Sequence, residues 1–332
     1  MRKIITFKRK PYIISSAAVG GREEGEGPLG SLFDFCDSTD RFCKDTWEKA
    51  EGEMGRMALS FALKKASLSS DDLDFLLAGD LENQCVASSG GLYSFGIPYI
   101  GLYSACSTCT EGLLLSSLLI SSGAAEMGAV VTTSHNSAAE RQFRTPVEYG
   151  AQRTPTSQWT ATAAGSFILS AENKSDIYIN DGMIGKVVDG LTTDGSNMGA
   201  AMSRAACDSV YTYLSLTDSS VDEFDAIFTG DLGRVGSEIF RELISKDFPK
   251  AARIHEDCGN LLFSKDKKNL GAGASGCGCS ASVLSSFILD RMKNGELKNI
   301  LFLSTGALMS PSSILQGENI LGIAPLINIR KN

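Results

Sequence analysis

The chain has 332 residues and 43% hydrophobic composition, enough for a large buried core arranged as two domains or one large two-part domain. Its formal net charge is −8 and no basic face is evident, which argues against nucleic acid as a partner. Nine cysteines, an odd number without a secretory context, indicate reduced thiols in a reducing compartment.

The N-terminal region combines a short basic cluster with an apolar run. We interpret the Lys and Arg residues of MRKIITFKRK as a solvated end of the chain, with contact to an anionic surface as the alternative. The run PYIISSAAV contains Pro11 and is followed by GGREEGEG, which is not typical of a signal peptide. The best candidate for a membrane span, residues 113–125, has 13 residues, whereas a span needs about 20. The sequence therefore predicts neither a signal peptide nor a transmembrane helix.

Two parts of the chain repeat the same pattern. The segment DDLDFLLAGDL (71–81) aligns with DEFDAIFTGDL (222–232), and each follows a helical segment. Residues 104–134 align without a gap with the segment that ends at Thr305, so that Cys106 falls opposite Cys277. Apolar strands are predicted at equivalent places in both parts. They are residues 129–133 and 300–304, followed by the closing strands 165–170 and 322–328.

This repeat predicts an α/β protein made of two halves, residues 1–173 and 174–332. The helices that begin at Cys106 and Cys277 are rich in Gly, Ser, Ala and Leu on every side, which is typical of buried helices. Two equivalent buried helices between two sheets predict a duplicated five-layer αβαβα fold.

Residues 136–165 have no counterpart in the second half. This long polar segment carries aromatic residues, which argue against disorder, and it also carries Arg141, Arg144 and Arg153. A loop of this length in a compact domain is usually functional. We interpret it as a lid or a subunit contact.

Two motifs in these halves resemble the thiolase and ketoacyl-synthase superfamily. Ala105-Cys106-Ser107 stands where that superfamily has its nucleophilic cysteine, at the start of a buried helix whose N–H groups lower a thiol pKa. Gly273-Ala274-Ser275-Gly276 resembles the thiolase GASG turn. Within the superfamily, the chain resembles the stage V sporulation protein AD family. This likeness rests on YSACSTC (103–109), SHNSAAERQFRTPVEYGAQ (134–152), TGDLGRVG (229–236), HEDCGNLLF (255–263) and GAGASGCGCSA (271–281).

The resemblance to the sporulation family implies a non-enzymatic role. Members of that family bind pyridine-2,6-dicarboxylate (dipicolinate) and work with integral membrane proteins of the stage V sporulation A complex. They move the acid into the developing spore and release it at germination. The resemblance also implies a peripheral position on the cytoplasmic side of the forespore and spore inner membrane, and a homodimer. The acid binds alone or with calcium, and no cofactor or metal centre is predicted.

Histidine usage also argues against thiolase chemistry, which needs an acid or base beside the thiol. Leu270 stands where the thiolase motif has a histidine, three residues before its first glycine. Only His135 and His255 occur in the chain. His255 lies near the place where ketoacyl synthases carry a second-half histidine, but a polar loop histidine is the commoner case. His135 ends a predicted strand, and either pocket lining or a buried structural role fits it.

The cysteine spacing leaves two further hypotheses open. Cys106 and Cys109, with Cys277 and Cys279, could form a four-thiolate zinc site, although such sites usually draw on loops. A dithiol redox role for the first pair lacks a thioredoxin-like context. Otherwise the sequence favours a role as small buried hydrophobic residues for four cysteines. They are Cys36, Cys109, Cys207 and Cys279.

We therefore predict a small-anion pocket with Cys106 at its base. Carboxylates are favoured at helix N-termini, and a loop arginine could add bidentate pairing. The predicted ligand-binding residues are Cys106, Ser107, Ser134, His135, Asn136, Arg141, His255, Ser275, Cys277, Ser304 and Thr305. A condensing enzyme or acyltransferase that uses Cys106 with His255 is the first alternative. A structural scaffold for the membrane complex, without a small-molecule ligand, is the second.

Overall fold

The computed structural model of the protein describes residues 3–143, 153–217, 219–264, 267 and 270–332. The strands are β1 (Ile5–Thr6), β2 (Tyr12–Gly20), β3 (Phe35–Cys36), β4 (Phe75–Gly79), β5 (Tyr99–Leu102), β6 (Met127–Ser134), β7 (Trp159–Thr160), β8 (Ala163–Ser170), β9 (Ile177–Met183), β10 (Val188–Asp189), β11 (Ala226–Thr229), β12 (His255–Asp257), β13 (Ala274–Ser275), β14 (Asn299–Leu303), β15 (Gly306–Leu308), β16 (Leu321–Ile323) and β17 (Leu326–Lys331).

The α-helices are α1 (Arg22–Gly25), α2 (Trp47–Ala66), α3 (Val86–Leu92), α4 (Thr108–Ser121), α5 (Asn136–Phe143), α6 (Met198–Thr217), α7 (Gly233–Ile244), α8 (Pro249–Arg253), α9 (Cys258–Leu262), α10 (Cys277–Val283), α11 (Leu289–Lys293) and α12 (Pro311–Leu315). A π-helical turn, Leu284–Ile288, joins α10 to α11. None of the described helices combines the length and apolarity that crossing a bilayer requires.

The strands form two units with the same topology. One unit has the order β5-β4-β6-β8-β2 and the other has the order β12-β11-β14-β17-β9. In each unit the first three strands are parallel and the last two pair antiparallel. A single antiparallel pair, Tyr12 with Tyr178, joins the units. The predicted boundary at 173/174 falls between β8 and β9.

Side-chain alternation along the strands divides the interior into layers. On β4, Leu77 faces a central core with α4 and α10, whereas Leu76 faces an outer core with α2. On β14, Phe302 faces the same central core, whereas Leu301 faces a second outer core with α6 and α7. The order is therefore helix, sheet, helix, sheet, helix, and the predicted five-layer αβαβα fold is confirmed.

The first strand of each half was not recognised in the sequence. PYIISSAAV forms most of β2, which pairs with β8 along its whole length. Its serines hide the apolar pattern, but both are buried and use their hydroxyls internally. Ser15 donates to the carbonyl oxygen of Ala62 at 2.7 Å, and Ser16 donates to that of Ser285 at 2.8 Å.

Two other boundaries differ from those predicted. The closing strand of the second half begins at Leu326, because Leu321–Ile323 instead joins a small sheet with β10 and β15. The segment 136–165 is not irregular throughout, since it opens with α5 and contains β7. Arg144 lies outside the described residues.

Candidate functional site

The Cys106 thiol lies in a short turn between β5 and α4, at the wall of a cavity of about 700 Å³. The turn brings Ala105 into left-handed backbone geometry, with φ of 49°, a region that favours glycine. Hydrogen bonds within the turn hold this conformation. The Ser107 hydroxyl donates to the Ser104 carbonyl oxygen at 2.6 Å, and the Thr108 hydroxyl donates to that of Ala105 at 2.7 Å.

Second-half elements form the opposite wall of the cavity. Ser275 is held there by β13, which pairs in parallel with β7. Ala307 comes from β15, and several serines follow it at the start of α12. The described lining residues contain hydroxyl, amide, aromatic and thioether groups but no Lys or Arg. They are Leu81, Asn83, Tyr103, Ala105, Cys106, Gln142, Thr160, Met198, Ser275, Ala307, Leu308, Met309, Ser310, Pro311, Ser312 and Ser313.

Asp231 is the charged group beside the thiol, and it is completely buried. It follows β11 and accepts a hydrogen bond from the Thr305 hydroxyl at 2.7 Å. The backbone N–H of Gly276, at the start of α10, also donates to it at 2.9 Å. The chain thus supplies its own carboxylate to a helix N-terminus, where negative charge is favoured.

This arrangement opposes thiolate formation. Burial, followed by the charge of Asp231, raises the pKa of the Cys106 thiol well above its ordinary value. Burial raises the pKa of Asp231 to about 7, against hydrogen bonds from Thr305 and Gly276 that favour its charged form. A reactive cysteine needs the reverse, an electropositive setting that lowers its pKa.

The backbone N–H groups on either side of Cys277, at the start of α10, are bonded to protein side chains. The N–H of Gly278 donates to the Ser134 hydroxyl at 3.2 Å, and that hydroxyl donates to the Ala161 carbonyl oxygen at 2.7 Å. The Cys277 thiol donates to the carbonyl oxygen of Thr133 at 2.9 Å. Ser134 and Cys277 therefore form the junction between β6 and α10, and neither lines the described cavity.

Among the predicted site residues, the structure brings Cys106 and Ser275 to the cavity wall. Thr305 does not line the cavity, but its hydroxyl donates a hydrogen bond to Asp231. Ser304 is buried and accepts a hydrogen bond from the Thr110 hydroxyl at 2.8 Å. Ser107 is also fully buried, within the turn that carries the thiol.

The two histidines lie away from the thiol cavity. The His135 ring contacts the carbonyl oxygen of Asp40 through Nε2 at 2.9 Å and packs against Trp47. His255 lies on β12, with Nε2 2.8 Å from the Thr229 hydroxyl. Burial lowers the pKa of His135 below its ordinary value and that of His255 to about 3, so the ring of His255 is neutral. The condensing-enzyme alternative requires His255 beside Cys106, and the structure does not place these two residues together.

The residues of the unmatched segment form their own contacts. Asn136 donates through its amide to Glu140 and to the carbonyl oxygen of Thr160, both at 3.2 Å. Arg141 pairs with Glu48 on α2. Arg153 pairs with Glu140 at 2.7 Å and lines a neighbouring cavity of about 330 Å³. Neither described arginine lines the thiol cavity.

Asp231 is the site residue that sequence reasoning missed. The signal was present, because Gly-Asp-Leu ends the repeated segment in both halves and places Asp80 and Asp231 at equivalent positions. Both carboxylates are buried after a strand. Asp80 accepts hydrogen bonds from the N–H groups of Glu82 and Ser88, at 2.7 and 2.8 Å, and stays in its own half.

Two of the cysteines predicted to be buried lie in the central core, together with Leu270. Cys109 and Cys279 are fully buried among hydrophobic side chains, and Leu270 also belongs to this central core. Within the described parts of the chain, no group of three or more His, Cys, Asp and Glu side chains is arranged to hold a metal ion. The hypothesis of a four-thiolate zinc site therefore has no support in the described parts of the chain.

Two facing sheets with a pair of buried helices between them, and a cysteine at the start of the first helix, define a thiolase-like protein. The 3-oxoacyl-[acyl-carrier-protein] synthase III of Aquifex aeolicus VF5 has this fold. It superposes with a TM-score of 0.59 and 13% identity, covering 96% of this chain and 99% of that one. An OleA variant from Xanthomonas campestris superposes with a TM-score of 0.62 and 12% identity, covering 98% and 99%. At such identities the likeness shows the fold alone.

Sequence similarity identifies the family within this class. Residues 1–330 match the family of stage V sporulation protein AD (SpoVAD). The stage V sporulation protein AD of Bacillus subtilis (strain 168) is 39% identical over 318 residues, which cover 96% of this chain and 94% of that protein. The chain belongs to the SpoVAD family, and the resemblance seen in its sequence motifs is confirmed.

Proposed function

We propose that this sporulation protein is a non-enzymatic binder of dipicolinate. It holds the acid for uptake into the developing spore and for release at germination, as the peripheral component of a complex with integral membrane proteins. The complex lies on the cytoplasmic side of the spore inner membrane. The observation that supports a binding role over catalysis is the buried carboxylate of Asp231, beside the thiol and on the N–H of Gly276.

Catalysis by Cys106 would need a base for the thiol and N–H donors for an oxyanion. The thiol would need a base, but its neighbour Asp231 adds negative charge and opposes the thiolate. A tetrahedral intermediate would need free N–H donors for its oxyanion. The N–H of Gly276 is already bonded to Asp231, and the N–H of Gly278 is bonded to Ser134. These contacts support a thiolase-like scaffold retained for binding.

The cavity has the chemistry that a small planar acid requires. The Tyr103 ring and the Met198 and Met309 thioethers offer apolar contact to an aromatic ring. Hydroxyl and amide groups such as Ser275 and Asn83 can donate hydrogen bonds to carboxylate oxygens. Few convergent polar groups in a mostly apolar cavity are typical of small-molecule sites.

Titration calorimetry with dipicolinate, pyridine-2-carboxylate and acetyl-coenzyme A tests this proposal. We expect saturable binding of dipicolinate, binding of the monocarboxylate at least about tenfold weaker, and no acyl transfer from the thioester. Ser275→Ala should weaken dipicolinate binding about tenfold, because a hydrogen bond to a charged group is lost. Ser122→Ala, at an exposed site after α4, is the matched control and should leave binding unchanged.

Two results would overturn the proposal. An acyl adduct on Cys106 after incubation with acetyl-coenzyme A, detected by mass spectrometry, would mean that the protein is an acyltransferase. If no calorimetric signal appears with any of the three compounds, the scaffold role would replace the binding role.

We also propose that the protein forms a homodimer through strand β5. Among the described residues this strand pairs only with β4, and Tyr99 and Ile100 are exposed on it. Its counterpart in the second half, β12, is instead covered, since His255 packs against Phe240 and its carbonyl oxygen accepts from Arg241 at 3.1 Å. An uncovered apolar edge strand favours pairing with another chain, and a second copy supplies the same edge.

Light scattering after gel filtration measures this assembly. The native chain should have twice its subunit mass of 35.3 kDa, and Ile100→Lys should be monomeric because a charge on the edge opposes pairing. Ile184→Lys, at a similarly exposed position outside β5, is the control and should remain dimeric. A dimer that survives Ile100→Lys would place the interface on another surface.

A further inference from the structure

Among the described residues, the carboxylate of Asp231 has no cationic partner. The groups that act on it are the Thr305 hydroxyl, the Gly276 N–H, the Cys106 thiol and the more distant carboxylate of Asp257. Its own backbone carbonyl oxygen accepts a hydrogen bond from the Gln158 amide at 2.6 Å. Its charge also acts on three further buried thiols, those of Cys258, Cys277 and Cys279. All these neighbours are neutral donors or acids.

The thiol cavity beside Asp231 also has no compensating positive charge among its described lining residues. None of its described lining residues is Lys or Arg. Arg153 lines the neighbouring cavity and is neutralised by Glu140. A ligand with two carboxylates in the thiol cavity would therefore lie close to a buried negative charge, without a cation among the described groups around it. Like charges in a buried site repel strongly, and protonation of one group removes the repulsion.

We infer that the protein binds its dicarboxylate ligand together with a proton, and that Asp231 carries this proton at the base of the thiol cavity. This inference rests on the proposed function, because it describes how the same site is regulated. It also assigns a role to Thr305, whose hydroxyl stabilises the charged form of Asp231 and so sets the pH at which the proton is taken up.

The direction of the linkage follows from the charges. Burial already raises the pKa of Asp231 to about 7, so the carboxyl group of Asp231 is partly protonated at neutral pH in the ligand-free protein. A bound dianion raises that pKa further, and binding then draws a proton from solution. Affinity should fall as pH rises above about 7, by up to about tenfold per pH unit, until the pKa of the bound state is reached.

Calorimetry of the full chain with dipicolinate at several pH values between about 6 and 9 measures this linkage. Carboxyl groups of the ligand titrate near pH 4 and stay ionised over that range. Titrations in phosphate and in Tris, whose ionisation enthalpies differ, count the protons taken up. We expect proton uptake at pH 7.5 and an affinity at least about tenfold lower at pH 8.5 than at pH 6.

Asp231→Asn should remove both signatures, giving affinity independent of pH and no buffer dependence. Thr305→Val is a milder variant that deletes one donor to the carboxylate. It should raise the pKa of Asp231 and move the pH dependence to higher pH. Asp181→Asn is the control, because Asp181 is another buried carboxylate with a raised pKa, but it pairs with Tyr213 away from the cavity. This control should behave as the native chain.

The outcomes separate this inference from the proposed function. Binding by the native chain without pH or buffer dependence would overturn the proton linkage and leave dipicolinate binding intact. Linkage that persists in Asp231→Asn would assign the proton to another group. If Asp231→Asn does not fold, the pH shift in Thr305→Val decides, and an unshifted profile overturns the inference. Absence of dipicolinate binding at every pH would overturn the proposed function itself.

Discussion

Replacing Ala307 by phenylalanine is expected to abolish dipicolinate binding while the protein remains folded. Ala307 lies on β15, where it lines the thiol cavity and also belongs to the second outer core, and it is 7% exposed. A phenyl ring there would extend into a cavity of about 700 Å³ and take the volume that the ligand needs. We expect affinity to fall at least about a hundredfold. Calorimetry measures the affinity, and circular dichroism checks the fold.

The same position supplies a matched control. Ala307→Ser adds a single oxygen atom to the cavity wall, so dipicolinate binding should stay within about threefold of the native value. A phenylalanine variant that keeps native affinity would show that the ligand binds elsewhere. In that case the neighbouring cavity lined by Arg153 and Glu140 is the next site to block.

The architecture could be predicted from the sequence because the chain repeats itself. Once Cys106 aligns with Cys277, and the strand at 129–133 with that at 300–304, the helix and strand order of both halves follows from a single pattern. Buried strands in α/β proteins are nearly continuous apolar runs, and most of these strands have that signal. In β2 two polar serines interrupt the apolar run. They can be buried there because their hydroxyls donate to carbonyl oxygens of other elements.

The site was harder to predict, since its chemistry depends on which groups already have partners. The residue types at the start of α10 fit an anion site, as the sequence indicated. Only the fold shows that the carboxylate of Asp231, 45 residues earlier in the chain, accepts a hydrogen bond from the N–H of Gly276. In the same way, Arg141 is a plausible ligand for an acid until its pairing with Glu48 is seen. Neither contact can be inferred from the spacing of these residues along the chain.

The close approach of α10 to the first-half sheet carries the largest expected effect on stability. Gly278 lies in the first turn of α10, fully within the protein, with the β8 backbone directly against it. An added Cβ atom would lie 2.0 Å from the carbonyl oxygen of Ala163 and 2.7 Å from the Ser134 hydroxyl. Neither neighbour can move easily, because Ala163 is part of a central strand and that hydroxyl bonds the α10 backbone.

Gly278→Ala should therefore lower the free energy of unfolding by about 3 kcal/mol, the upper part of the range for overpacked cores. Gly90→Ala in α3 is the matched control, since no atom lies within 4 Å of its added Cβ. The intrinsic preference of helices for alanine should make that variant as stable as the native chain or slightly more so. Urea denaturation followed by circular dichroism compares the two. Equal midpoints for both variants would mean that α10 packs less closely on the sheet than its contacts with Ala163 and Ser134 indicate.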